Sequence, residues 1–75
     1  MTEIEHQVLQ TLLEMERAVE TMATADPKPN LLPLFARLDE LTGQLPRSTE
    51  PMLLHFLHRK SYQKARAFLQ DLAAH

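Results

Sequence analysis

Apolar residues recur every three or four positions in three stretches of the chain, which are separated by segments rich in proline and polar residues. The first stripe consists of Ile4, Val8, Leu12, Met15, Val19 and Met22. Because this spacing places apolar side chains on one face of an α-helix, it predicts a helix from about residue 3 to residue 24. Thr2 and Glu5 mark its start, since they have the spacing of a capping box. Pro27 and Pro29 then end it.

The second stripe consists of Leu31, Leu34, Phe35, Leu38, Leu41 and Leu45. Asn30 is its predicted N-cap, and Pro33 falls in the first helical turn, where the missing amide of proline is tolerated. We expect this helix to end near Gly43, because the only glycine of the chain suits the left-handed conformation that closes many helices. Pro46 prevents the helix from continuing. The first loop is therefore predicted at residues 26–30, and the second begins near residue 46.

The third stretch has neither glycine nor proline between residues 52 and 74. Its stripe consists of Leu54, Leu57, Ser61, Ala65, Phe68 and Leu72. The favoured interpretation is one unbroken helix, with Ser48 or Thr49 as its cap. The alternative breaks the chain at residues 59–61, with Ser61 capping a fourth helix that begins at Tyr62.

These elements predict one all-α domain over residues 1–75, a small antiparallel three-helix bundle, or four helices if the third is broken near Ser61. A chain of 75 residues has room for a single hydrophobic core. Cysteine is absent, which excludes disulfides and thiol chemistry and fits the cytoplasm. The polar, acidic start does not resemble an export signal, and no apolar run approaches the roughly 20 residues of a membrane span.

The unequal lengths of the predicted helices provide the main functional clue. The second helix is shorter than the first and third, so it leaves part of their apolar stripes uncovered. Because exposed apolar surface on a small domain marks an interaction site, we expect a protein-interaction module without catalytic activity. The simplest form of this function is self-association into a homodimer. The other form is binding to a different partner protein. The expected partner-binding residues are Met15, Val19, Met22, Phe68 and Leu72.

Charge is distributed unevenly, although the net charge is only −2. Residues 1–26 carry six carboxylates and one arginine, a net charge of −5, whereas residues 51–75 have a net charge of +3. The basic residues Arg59, Lys60, Lys64 and Arg66 suggest an alternative function, the binding of nucleic acid or another phosphate. The favoured interpretation instead pairs Lys60 and Lys64 with Glu16 and Glu20, within the chain or across a dimer.

Metal binding and catalysis have little support in the sequence. His55 and His58 share one helix face, but two histidines do not complete a zinc site, so we predict neither a metal nor another cofactor. The hydroxyl residues are explained by helix capping, and no motif places a base beside a nucleophile. A glycine-rich phosphate loop is absent as well. We therefore predict neither enzymatic activity nor a membrane partner.

Overall fold

The computed structural model describes residues 2–22, 24 and 30–74, and within them the chain forms four α-helices and no strand. The helices are α1 (Glu3–Met22), α2 (Leu32–Gln44), α3 (Pro51–His58) and α4 (Tyr62–Ala74). The all-α prediction is confirmed, in its four-helix form. Helix α1 ends two residues earlier than predicted, and residues 25–29 of the predicted first loop lie outside the described part of the chain.

The start of α1 is held by the predicted capping box. The backbone N–H of Glu5 donates to the hydroxyl of Thr2 at 3.2 Å, and the Glu5 carboxylate accepts from the backbone N–H of Thr2 at 3.4 Å. The Thr2 hydroxyl also donates to that carboxylate at 2.9 Å. Because each residue satisfies an amide that the helix leaves without a partner, the start of α1 is fixed by local contacts alone.

Both ends of α2 differ in detail from the prediction. The N-cap is Leu31, one residue after Asn30, although the Asn30 side chain accepts a hydrogen bond from the N–H of Leu32 at 3.1 Å. Gly43 lies inside α2 and has no positive φ, so the predicted left-handed conformation of Gly43 is wrong. The C-cap is Leu45, which has an extended backbone with ψ of 133°. Pro46 explains this ending, because proline disfavours a helical conformation in the residue before it.

The start of α3 also lacks the predicted side-chain cap. Its N-cap is Glu50, which makes no capping hydrogen bond through its side chain. Pro51 begins the helix with a backbone angle that already suits it, and it has no N–H to be capped. Neither Ser48 nor Thr49 acts as a cap, and the Thr49 hydroxyl is buried without a hydrogen-bond partner.

The unbroken third helix is wrong, because the chain turns between α3 and α4. Lys60 has a φ of 58°, the left-handed conformation. The N–H of Lys60 donates to the carbonyl of Leu57 at 3.1 Å, and the N–H of Ser61 donates to the carbonyl of Phe56 at 2.8 Å. These two bonds form a Schellman motif that closes α3. The carbonyl of Ser61 accepts the N–H of Ala65 at the start of α4, as expected of an N-cap residue.

The break allows α4 to fold back against α3 and α1. Ala65 and Leu69 of α4 are fully buried, and the rings of Phe56 and Phe68 meet edge to face with their centroids 6.4 Å apart. A left-handed non-glycine residue costs about 1–2 kcal/mol. Burial of a leucine side chain contributes about 1.5–3 kcal/mol. Packing of α4 therefore outweighs the unfavourable conformation of Lys60.

Helix α1 is the centre of the molecule, because it packs against both α2 and α4, while α3 packs against α4. All four helices contribute to one core, which consists of Val8, Leu9, Leu12, Met15, Leu38, Leu41, Leu53, Leu57, Ala65 and Leu69. Of the helices in the described part of the chain, none combines the length and the apolar character needed to cross a membrane. The core leaves one side of α1 incompletely covered, and the candidate site lies there.

Candidate functional site

A groove of about 480 Å³ lies where the second half of α1 meets the first turns of α2 and α4. Helix α1 provides one wall, and the residues at the starts of α2 and α4 provide the other sides. The groove is lined by Leu12, Met15, Glu16, Val19, Glu20, Leu31, Phe35, Tyr62, Gln63 and Arg66. Its volume is in the range of protein sites that bind small molecules or the side chains of another polypeptide.

The floor of the groove is apolar. Leu12 and Met15 belong to the core and are buried, and they form the base of the groove. Phe35 of α2 and Tyr62 of α4 stack obliquely, with ring centroids 5.9 Å apart and an angle of 32° between their planes. Val19 is 53% exposed, although it continues the same stripe of α1. The stripe therefore leaves the core at Val19 and is accessible from the groove.

One ion pair links two sides of the groove. The Nε of Arg66 on α4 lies 3.1 Å from a carboxylate oxygen of Glu16 on α1. A second nitrogen of the same guanidinium donates to the side chain of Gln70 at 3.1 Å. Because Arg66 and Glu16 are 28% and 41% exposed, the pair contributes less than about 1 kcal/mol to stability. The pair places a positive charge beside the Glu16 carboxylate at the edge of the groove.

The phenol of Tyr62 lies in the groove, where its surroundings change its pKa. Burial raises the pKa of the Tyr62 phenol above its usual value of 10.0, and the negative charge of Asp39 raises the same pKa further. Asp39 is one helical turn after Phe35 on α2, so its carboxylate lies near the aromatic part of the groove. The phenol is therefore neutral around pH 7, and a second helix adds negative charge beside the floor.

The expected partner-binding residues are not all in one place. Met15 and Val19 line the groove, whereas Met22 is the half-buried last residue of α1 and is not part of the lining. Phe68 is half-buried in the packing of α4, and Leu72 is 37% exposed near the end of that helix. The structure thus places Met15 and Val19 together in the groove. The other three expected residues lie outside it.

The lining residues that were absent from the expected partner-binding set include three large apolar or aromatic ones outside α1, namely Leu31, Phe35 and Tyr62. Each lies at or near the start of a helix that packs against α1. For Leu31 and Phe35 the sequence signal is this position, since α2 follows α1 in the chain, packs against it and begins beside its later turns. Tyr62 begins a helix only because the chain breaks at Lys60. The favoured prediction of one unbroken helix therefore could not place Tyr62 at a helix start.

The four basic residues also separate in the structure. Arg59, Lys60 and Lys64 are exposed, while Arg66 is half-buried and pairs with Glu16. Within residues 2–22, 24 and 30–74, the exposed three form no ion pair. The expected pairing of Lys60 and Lys64 with Glu16 and Glu20 within the chain is therefore not found among the described residues, where Glu16 pairs with Arg66 instead.

The two histidines of α3 lie on the surface. His55 and His58 are exposed, and His55 contacts the ring of its neighbour Phe56 at a centroid distance of 6.1 Å. In the part of the chain that the structure describes, no three histidine, aspartate or glutamate side chains come together as metal ligands would.

Comparisons with protein families, with curated proteins and with solved structures find no match to this chain. The chemistry and the dimensions of the groove are therefore the basis for the function proposed below.

Proposed function

We propose that the protein functions by binding a helical segment of another polypeptide in the groove between α1, α2 and α4. The observation that carries the proposal is the exposure of Val19, at 53%, in an apolar stripe whose three preceding members, Val8, Leu12 and Met15, are buried. Val19 lies in a concave surface beside an aromatic pair. When a partner covers such an apolar side chain, the side chain is removed from water, which favours binding.

The dimensions of the groove suit a helix. Its α1 side runs from Leu12 to Glu20, which is about 13 Å at 1.5 Å per residue. Roughly two helical turns of a partner fit along this length. Such a segment presents apolar anchors at positions i, i+3 or i+4, and i+7, the common pattern of helices bound in grooves. Met15 in the floor supports the proposal further, because methionine adapts to anchors of different shape.

The chemistry of the lining favours binding over catalysis. Serine, threonine and histidine are absent from the described lining, so it has none of the usual nucleophile and base pairs. Glu16 is engaged with Arg66 across the groove. The proposed location is the cytoplasm, which suits a chain without cysteine.

A helical peptide with an uncharged polar face tests the proposal. The probe is a peptide of about 14 residues, capped at both ends, with leucine anchors at i, i+4 and i+7. We expect amide signals of the full chain to shift in nuclear magnetic resonance spectra at Leu12–Glu20, at Leu31–Phe35 and at Tyr62–Arg66. Shifts confined to other surfaces, or none at millimolar peptide, contradict the proposal.

Two exposed apolar residues provide matched variants. Val19→Glu places a charge in the apolar part of the groove, so we expect it to weaken peptide binding by about tenfold or more. Met52→Glu on α3 changes a residue of similar exposure, 51% against 53%, outside the groove, so binding is expected to be unchanged. Circular dichroism of both variants checks that the helices persist. Equal weakening by the two substitutions contradicts the proposed site.

Two other partners are outcomes of the same set of measurements. Sedimentation equilibrium of the chain alone reports self-association, and loss of the dimer in Val19→Glu identifies a second copy as the occupant. A salt-dependent affinity for RNA or DNA that disappears when Lys60 and Lys64 become alanine supports the phosphate-binding alternative instead.

A further inference from the structure

Negative charge is in excess around the groove. Glu16 and Glu20 are one turn apart on α1, so they share the rim, and Arg66 is the only basic residue of the described lining. Arg66 already contacts Glu16 and Gln70. Glu20 is exposed and forms no ion pair within the described residues. The α1 rim thus retains one carboxylate that its own arginine does not neutralise.

A second carboxylate lies on the α2 side. Asp39 is exposed, and its charge acts on the phenol of Tyr62, which lines the groove. Like Glu20, Asp39 forms no ion pair in the part of the chain that the structure describes. Asp39 is outside the lining but lies one helical turn after Phe35, which lines the groove, so carboxylates on two helices lie around the apolar floor.

We infer that the groove selects a basic amphipathic helix of a partner protein, whose apolar anchors contact Val19 and Tyr62 and whose flanking lysine or arginine side chains reach Glu20 and Asp39. The inference rests on the proposed function and specifies its partner. Lysine and arginine suit these positions, because their aliphatic parts cover apolar surface while their charged ends stay at the rim. Opposite charges at a rim mainly improve selectivity and the rate of association.

A second copy of this chain fits the groove less well. Outside the groove, the large apolar side chains that are exposed among the described residues are Leu32, Met52 and Leu72. They lie on three different helices, so no helix of the folded chain presents anchors at i, i+4 and i+7. Leu53 and Leu57 of α3 are used in the core of their own molecule. The occupant is therefore a helix with its own uncovered apolar stripe.

Two charged versions of the uncharged peptide test this inference. Both keep the leucine anchors, and the flanking residues are lysine in one and glutamate in the other. Tyr62 is the only tyrosine and the chain has no tryptophan, so its fluorescence reports directly on the groove when the peptides lack aromatic residues. At low salt we expect the lysine peptide to bind on the order of tenfold more tightly than the glutamate peptide. The preference should vanish near 1 M salt, where the Debye length is about 3 Å.

Matched variants of α1 separate a local effect of the rim from the net charge of the chain. Glu20→Lys reverses a charge in the groove, and Glu14→Lys reverses an exposed charge on the same helix outside the lining. Both raise the net charge by the same amount. We expect Glu20→Lys to abolish or invert the preference for the lysine peptide, and Glu14→Lys to preserve most of it.

The remaining outcomes contradict either the basic partner or the proposed function. If the uncharged peptide binds but the charged peptides bind equally, or if Glu14→Lys acts as strongly as Glu20→Lys, the basic partner is wrong and the proposed function stands. If no peptide binds in the groove, the proposed function itself fails. A dimer that is lost in Val19→Glu assigns the groove to a second copy and also overturns the basic partner.

Discussion

Tyr62 connects the physical chemistry of single residues with the groove. It stacks on Phe35, lines the apolar floor and lies within the electrostatic influence of Asp39. Its phenol is half-buried, so its ionised form is disfavoured both by loss of solvent and by the neighbouring carboxylate. The ionisation of this one residue is therefore a measure of how intact the groove is.

We predict that Tyr62 ionises above pH 10.0, its unperturbed value, in the folded chain. The folded state holds the phenolic proton more tightly than the unfolded state, so this contribution to stability is fully present below pH 10.0 and is lost as pH rises through the raised pKa. Ultraviolet absorbance of the phenolate measures the midpoint. Asp39→Asn should lower the pKa only part of the way, because burial is the larger cause. A midpoint at or below 10.0 in the native protein contradicts the buried phenol.

Capping residues show what can be read from sequence at this scale. The contacts of Thr2 and Glu5 were predicted correctly because both partners belong to the same four-residue segment. Gly43 was assigned the wrong conformation because the helix continues through it and ends at Leu45, where the following proline sets the backbone. A residue that is suitable for a conformation adopts it only when its neighbours require that conformation.

At the scale of elements, the turn between α3 and α4 depends on an unusual residue. Lys60 takes the left-handed position of a Schellman motif, which glycine usually occupies. Neither glycine nor proline marks the turn, so Ser61, as a possible N-cap of a helix that begins at Tyr62, is its main signal in the sequence. Burial of Ala65 and Leu69 against distant parts of the chain stabilises the break. The periodic spacing of apolar residues in the sequence does not reveal such tertiary contacts. The favoured unbroken helix failed for this reason.

We predict that Lys60→Gly stabilises the protein by about 1 kcal/mol, because glycine adopts the left-handed conformation without steric cost. Urea denaturation followed by circular dichroism measures the change. Lys60→Ala is the control, since it removes the same charge and retains the Cβ, so little gain is expected. Equal stabilisation by both variants would assign the effect to charge, and destabilisation by Lys60→Gly would contradict the observed turn.

On the scale of the whole molecule, the position of the groove follows from the arrangement around α1. The apolar stripe of this helix is longer than the surface that α2 and α4 cover, and α2 is shorter than α1, as the sequence indicated. The expected long third helix that α2 would also leave uncovered is wrong, because it is broken into α3 and α4. It did not reveal which end stays accessible, because folding α4 back covers Leu69 and leaves Val19 at 53% exposure. Val19 belongs to the first apolar stripe and Leu69 lies next to a member of the third, and only the packing of four helices distinguishes their exposure.

The same packing predicts different effects for two leucines of α4. Leu69 is fully buried where α4 meets the core, so Leu69→Ala should destabilise the fold by about 2–5 kcal/mol. Leu72 is 37% exposed one turn later, so Leu72→Ala is expected to cost less than about 1 kcal/mol. Urea denaturation compares them. A domain of this size has a total stability of about 4–11 kcal/mol, so the first substitution removes a large part of it.

Peptide binding by the Leu72→Ala variant completes the comparison, because Leu72 was expected from the sequence to bind a partner. Its position outside the groove predicts that the uncharged peptide binds this variant as it binds the unmodified chain. Val19→Glu, in contrast, is expected to lose binding while the helices persist. If Leu72→Ala weakens binding as much as Val19→Glu, the binding surface extends along α4 to its last turns, and the groove is only one end of it.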